Sequence, residues 1–113
     1  MGEQMDLNRK RIDLVAKFKE ANPDFAAAEY GMLEATYREG ALSTKMKRLM
    51  SLAVALRAGC KNCILAQTQY ALDLGASREE ILETIQVVVA MSGTTGIGEG
   101  LRVIEFLEEL GKL

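Results

Sequence analysis

The sequence predicts an all-α domain of about six helices, and three observations carry that prediction. The apolar content is aliphatic: 49% of residues are hydrophobic but 5% aromatic, with no Trp, so Leu, Ile, Val, Met and Ala must build the core. Such residues favour helices. Apolar positions recur three and four apart along most of the chain, the period of a helix with one covered face. Glycine, serine and the single proline fall largely between these stretches, where helices start and stop.

The elements follow in order. From Asp6 to Ala21, Leu7, Leu14, Val15 and Phe18 share one face, with Arg9, Lys10, Asp13 and Lys17 on the other. Asn22-Pro23-Asp24 then reads as a break and a new start, with Asn22 as N-cap, Pro23 in the first turn and Asp24 at the positive end of the dipole. That second helix should run to about Arg38, and Gly40 in a left-handed conformation should close it. Ser43 or Thr44 caps a third helix over Lys45 to Arg57. Its apolar residues cover more than one stripe, as in a helix buried on several sides, so it should be central. Gly59 interrupts the run just before Cys60, and a fourth helix extends to Gly75. Ser77-Arg78-Glu79-Glu80 has the form of a capping box ahead of Ile81, Leu82, Ile85, Val88 and Val89. Val87-Val88-Val89 is prone to strand, but it continues this helical spacing and has no turn signals on both sides. A glycine cluster, Gly93, Gly96, Gly98 and Gly100, leads into the last helix from Leu101 to Leu110 and reads as a flexible hinge and N-terminal turn that permit close helix packing.

Length and charge narrow the function. A chain of 113 residues fits one domain, 1–113. A net charge of −2 supplies no basic face for a nucleic acid. The longest apolar run, Val87 to Met91, is far short of a bilayer span, and no signal-peptide pattern opens the chain, so a cytoplasmic protein without membrane contact is expected. Two cysteines close together cannot form a multi-bridge framework, and in a reducing compartment such a pair is more often catalytic or metal-binding.

Cys60-Lys61-Asn62-Cys63 therefore holds the chemistry. Residues three apart on a helix face each other closely enough for a disulfide. At a helix start, free backbone N–H groups and the dipole stabilise a thiolate, which marks Cys60 as the more acidic thiol, with Lys61 and Arg57 pushing the same way. The bland alternative is two buried small hydrophobes. A metal is not expected, since structural zinc takes four Cys or His ligands and this chain has two Cys and no His. The lack of histidine also removes any Cys-His catalysis, so a base must be a carboxylate, Lys, Tyr or thiolate. Gly93 to Glu99 has a superficial likeness to a phosphate loop, but Glu99 stands where that loop requires lysine. Met32, Met46, Met50 and Met91 read as core filler. The charges at Arg38-Glu39 and Lys45, Lys47 and Arg48 read as a solvated face.

With these residues in view, the stretch from Phe25 to Leu110 resembles the carboxymuconolactone decarboxylase/alkylhydroperoxidase D (AhpD-like) superfamily. The resemblance is carried by Tyr37-Arg38-Glu39-Gly40-Ala41-Leu42-Ser43, by Lys45 and Leu49 to Leu56, by Ala58-Gly59-Cys60-Lys61-Asn62-Cys63, and by Leu74-Gly75-Ala76-Ser77-Arg78-Glu79-Glu80-Ile81. It implies an all-α fold, homo-oligomers such as trimers or hexamers with the cysteine helix near subunit contacts, and a redox-active Cys60/Cys63 pair. The implied activity is a thiol-dependent peroxidase or oxidoreductase that takes a peroxide or small-molecule substrate and a thiol reductant, with no cofactor. The resemblance makes Cys63 the sulfur attacked first, whereas the dipole points to Cys60. The AhpD pattern also has a glutamate twelve residues before the first Cys and a histidine four after the second, and this chain has Arg48 and Gln67 there. Neither can act as a general base. The sulfurs are then activated by dipole and cations alone, or Glu34, Tyr70 or Glu99 is brought in by the fold or a neighbouring subunit. Two other readings stand beside this one: a decarboxylase acting on a lactone acid, and a non-catalytic oligomeric binding protein.

Overall fold

The computed structural model describes residues 2–113, which form six helices and no strand: α1 (Glu3–Ala21), α2 (Pro23–Tyr37), α3 (Thr44–Ala58), α4 (Lys61–Asp73), α5 (Arg78–Ser92) and α6 (Thr94–Glu109). α3 is central, as expected, and packs on α4, α5 and α6 and more lightly on α2. Its Leu49, Leu52, Ala55 and Leu56 meet Ile64 and Ala71 of α4, Ile81 and Val88 of α5, and Val103 and Leu107 of α6 in one apolar core. Each such Leu, Ile or Val, fully buried, stabilises the fold by about 1.5–3 kcal/mol relative to exposure. The Ser77–Glu80 capping box forms in full, and Ser43 caps α3 by accepting from Met46 N.

The glycine cluster departs from expectation. It is not a hinge followed by a helix at Leu101, because α6 already begins at Thr94 and the turn from α5 is made by Gly93 alone. A Cβ on Gly96 would lie 2.7 Å from Val89 N, and one on Gly100 would lie 3.0 Å from Ile85 Cγ2. The glycines let α6 approach α5 along its own first turns, and the packing outweighs their poor helix propensity.

α1 is fixed chiefly at its first turns. Glu109 of α6 accepts from Gln4 N (3.1 Å) and Met5 N (2.7 Å), which satisfies two of the helix's free amides and places a carboxylate at its positive end. The buried Gln4 side chain donates to Glu105 and accepts from Arg102. Farther along, Ile12, Leu14, Val15 and Phe18 are exposed, and α2 has no buried residue at all. Phe18 meets Phe25 edge-to-face at 6.1 Å, so the two helices form a hairpin that projects from the body. The radius of gyration, 14.4 Å, accordingly exceeds the roughly 13 Å of a compact chain of this length.

Several local expectations are corrected. The methionines are not core filler: Met32, Met46 and Met50 are about half exposed and Met91 is 82% exposed, because the described residues leave much of the faces they occupy uncovered. Asn22 holds the N-cap position of α2 with Pro23 in its first turn, as expected, but its side chain makes no cap bond and donates instead to Phe18 O at the end of α1. α2 ends through extended backbone at Arg38, without a left-handed Gly40. Among the charges read as a solvated face, Lys45 pairs with Glu80, Lys47 donates to Thr36 O and Arg38 O at the end of α2, and Arg48 turns inward. No helix among the described residues is long and apolar enough to cross a membrane.

Candidate functional site

Gly59 closes α3 in the left-handed conformation (φ 72°), which β-carbon-bearing residues adopt at a cost, and the chain turns there directly into Cys60. Cys60 is the N-cap of α4, so both sulfurs lie at the helix start that the sequence predicted. Cys60 Sγ accepts from Cys63 N at 3.2 Å. The two residues form a disulfide with Cα atoms 5.2 Å apart. Cys60 is half-buried and Cys63 exposed, so the pair is not a buried hydrophobic filler.

Cys63 opens onto a groove of about 550 Å³ between α1 and α4. Leu7, Leu14, Val15 and Phe18 give it an apolar wall, and Lys10, Arg11, Asn62 and Gln67 supply its polar groups. Among the described residues, no carboxylate lines it.

Arg48 and Gln67, at the two positions where the AhpD pattern has its acid–base pair, are in contact. Arg48 Nη1 donates to Gln67 Oε1 at 3.2 Å. The guanidinium carbon lies 3.5 Å from the Tyr37 ring centroid and 4.1 Å from that of Tyr70, so two aromatic faces hold it. The Tyr37 hydroxyl is in turn 2.6 Å from Ser51 Oγ. Arginine can only donate, so Gln67 must present its carbonyl to it and keeps its Nε2 hydrogens for another partner. The pair offers fixed donors and cannot carry a proton away.

The other predicted site residues distribute unevenly. Gln67 shares the groove with Cys63, and Tyr70 reaches that constellation through Arg48. Lys61 is exposed in the first turn of α4 and makes no hydrogen bond or ion pair among the described residues. Glu99, half-buried on α6, brings its carboxylate over Gly59: its Oε1 is 3.6 Å from where a Cβ on that residue would sit. Glu34 is exposed on α2, which packs on α1 and α3. The sequence reading missed Lys10, Arg11 and the apolar wall of α1. They meet α4 only through the tertiary fold, and no local spacing announces it.

The sequence pattern of the carboxymuconolactone decarboxylase family matches residues 23–106. The chain belongs to that family. Within it, an apo carboxymuconolactone decarboxylase family protein from Legionella pneumophila superposes with a TM-score of 0.87 at 29% identity, over 94% of this chain and 95% of that one. A Thermotoga maritima protein superposes with a TM-score of 0.78 at 31% identity, over 89% of both chains, and has been described as a family member with a suggested part in the antioxidative response. An uncharacterized protein from Cupriavidus necator H16 is 29% identical over 91 residues, 80% of each chain. Family membership and the all-helical fold of these relatives agree with the architecture above. This member of the family carries its cysteine pair as a disulfide at the start of α4.

Proposed function

We propose that this chain is a thiol-dependent peroxidase of the carboxymuconolactone decarboxylase family that works through Cys60 and Cys63. The observation that carries the reading is a disulfide at the amide-rich start of a helix, with one sulfur, Cys63, open to a groove. In the reduced protein the Cys63 thiolate attacks the outer oxygen of a hydroperoxide, the O–O bond breaks, and the alkoxide leaves as the alcohol after taking a proton. Cys63 is then a sulfenic acid. The Cys60 thiol condenses with it, forming the disulfide and releasing water, and a dithiol reductant returns both sulfurs to thiols. Exposure favours Cys63 as the sulfur attacked, and Cys60, less exposed and bridged to it, is then the resolving thiol.

The first-turn amide of α4 at Cys63 N, which meets Cys60 Sγ, stabilises a thiolate on Cys60, the form in which it attacks the sulfenic acid. The Arg48–Gln67 pair adds donors but no base, and Glu99 is the carboxylate on hand to exchange protons near Cys60. The protein acts in the cytoplasm on a small-molecule peroxide and as a homo-oligomer, trimer or hexamer. The exposed stripe Met46, Met50, Val54, Val87 and Met91 on α3 and α5 supports assembly. Nucleic acid has no part in this reading.

The test is cumene hydroperoxide consumption with dithiothreitol as reductant, for the wild type and for Cys60→Ser and Cys63→Ser. Activity in the wild type, abolished by Cys63→Ser and reduced to slow turnover by Cys60→Ser, is expected. Equal and negligible activity in all three proteins would sink the proposal and favour a binding protein.

A further inference from the structure

We infer that the groove between α1 and α4 binds an amphipathic carboxylate, and that the peroxide reduced at Cys63 is an apolar hydroperoxide bearing such a group; the second half rests on the peroxidase reading above. At about 550 Å³, the groove lies within the roughly 300–1,000 Å³ of pockets that take small organic ligands. Its wall of Leu7, Leu14, Val15 and Phe18 offers continuous apolar area that the rest of this chain leaves uncovered.

Its charged groups are all of one sign. Lys10 and Arg11 bring two positive charges, and the chain's own carboxylates are absent from the lining. Arg11 is bonded to the neutral carbonyl of Asn8, at 2.9 Å, so its charge stays uncompensated, and Lys10 is exposed without an ion pair among the described residues. Gln67, which lines the groove, has its carbonyl engaged by Arg48, so its amide hydrogens are the groups left for a ligand. A groove with an oily wall, two unpaired cations among the described residues and the Gln67 amide, on a chain whose net charge is −2, complements a molecule with an apolar body and a carboxylate head. Binding along the groove would hold that body against α1 and lay its reactive group beside the exposed Cys63 sulfur.

The binding half needs no chemistry and is tested on the disulfide form. Calorimetric titration with decanoate, below its micelle concentration, should show saturable binding, and decyltrimethylammonium of equal chain length should show none. Lys10→Glu/Arg11→Glu should weaken decanoate by about tenfold or more, whereas Lys10→Arg/Arg11→Lys keeps the affinity within about twofold. Circular dichroism and the thermal midpoint confirm that both variants fold. Equal binding of the cation, or undiminished binding by the charge-reversed variant, overturns the inference. So does absence of binding together with a dimer that the charge reversal dissociates, for the groove then holds a second copy.

The substrate half is read on the reduced protein. The KM for a long-chain hydroperoxide bearing a carboxylate, divided by the KM for cumene hydroperoxide in the same protein, should rise about tenfold in the charge-reversed variant. An unchanged ratio overturns it. Thiol-dependent turnover of cumene hydroperoxide without decanoate binding defeats this inference and leaves the peroxidase reading standing. Decanoate binding without turnover of either peroxide defeats the peroxidase reading and the substrate half together, and leaves the groove as a carboxylate site.

Discussion

Arg48 donates to Gln67 across 3.2 Å, and so the two side chains that replace an acid–base pair are joined to each other rather than left apart. The contact is held by the Tyr37 and Tyr70 rings on the guanidinium. It presents fixed hydrogen-bond donors, with Gln67 in the same groove as Cys63. Replacing Arg48 by Met removes the two cation–π contacts and the bond to Gln67 while keeping the stem. A loss of about 1–2 kcal/mol is expected in urea unfolding monitored by circular dichroism.

Restoring a proton carrier should accelerate the reaction. In the double variant Arg48→Glu/Gln67→His, the carboxylate orients an imidazole four residues after Cys63, where it can take up and return a proton near neutral pH. Peroxide consumption should rise by about tenfold or more over wild type, and its pH profile should gain an inflection near 6–7. Activity at or below that of the wild type across pH 5–9 would show that the donors, not a relay, set the rate.

Glu99 and Glu34 were equal candidates from the sequence, and the fold separates them. Only Glu99 stands over the Gly59 turn that leads into Cys60. Glu99→Gln should slow formation of the disulfide after a single peroxide pulse, followed by thiol labelling, by about tenfold or more, whereas Glu34→Gln on exposed α2 should track wild type. Equal rates for the two variants would remove Glu99 from the mechanism.

A charge-linked contribution to stability sits on the far side of the core. Bonding of Ser77 N to Glu80, and then the Lys45 ammonium, hold the Glu80 carboxyl below its ordinary pKa. A depressed folded pKa stabilises the fold at pH above the usual carboxylate range, and the benefit is lost as pH falls through the folded value. The difference in thermal midpoint between wild type and Glu80→Gln should therefore be largest at pH 7 and shrink as pH falls below the usual carboxylate range near 4. Ser77→Ala, which removes the other half of the box, should cost about 1 kcal/mol at both.

How much was legible before the fold depends on which forces write themselves locally. The caps at Ser43 and Ser77, the stop at Gly59 and the start at Cys60 are backbone chemistry among near neighbours, and each fell where the sequence placed it. The exposed methionines did not, because helical spacing shows that a face is apolar and not whether this chain covers it. The groove was hidden for a related reason: Leu7 and Cys63 are brought together only by how α1 lies on α4. Arg48 and Gln67 could be singled out by their positions relative to the cysteines, but that they touch is a tertiary fact.

The glycines of α6 give the sharpest test of how packing overrode propensity. A methyl on Gly96 would press on the Val89 backbone at 2.7 Å, and backbone cannot swing aside as a side chain can. One on Gly98 would meet nothing within 4 Å. Gly96→Ala should thus destabilise by about 1–3 kcal/mol through forced separation of α5 and α6, even though alanine is the better helix former. Gly98→Ala should stabilise by about 0.5–1 kcal/mol, since it gains propensity and meets no obstacle. Gly100→Ala meets the Ile85 Cγ2 methyl at 3.0 Å, side chain rather than backbone, and should fall between the two. Urea unfolding of the three variants should rank them 98, 100, 96 from most to least stable, and any order that places Gly96→Ala above Gly98→Ala contradicts a close α5–α6 contact at Val89.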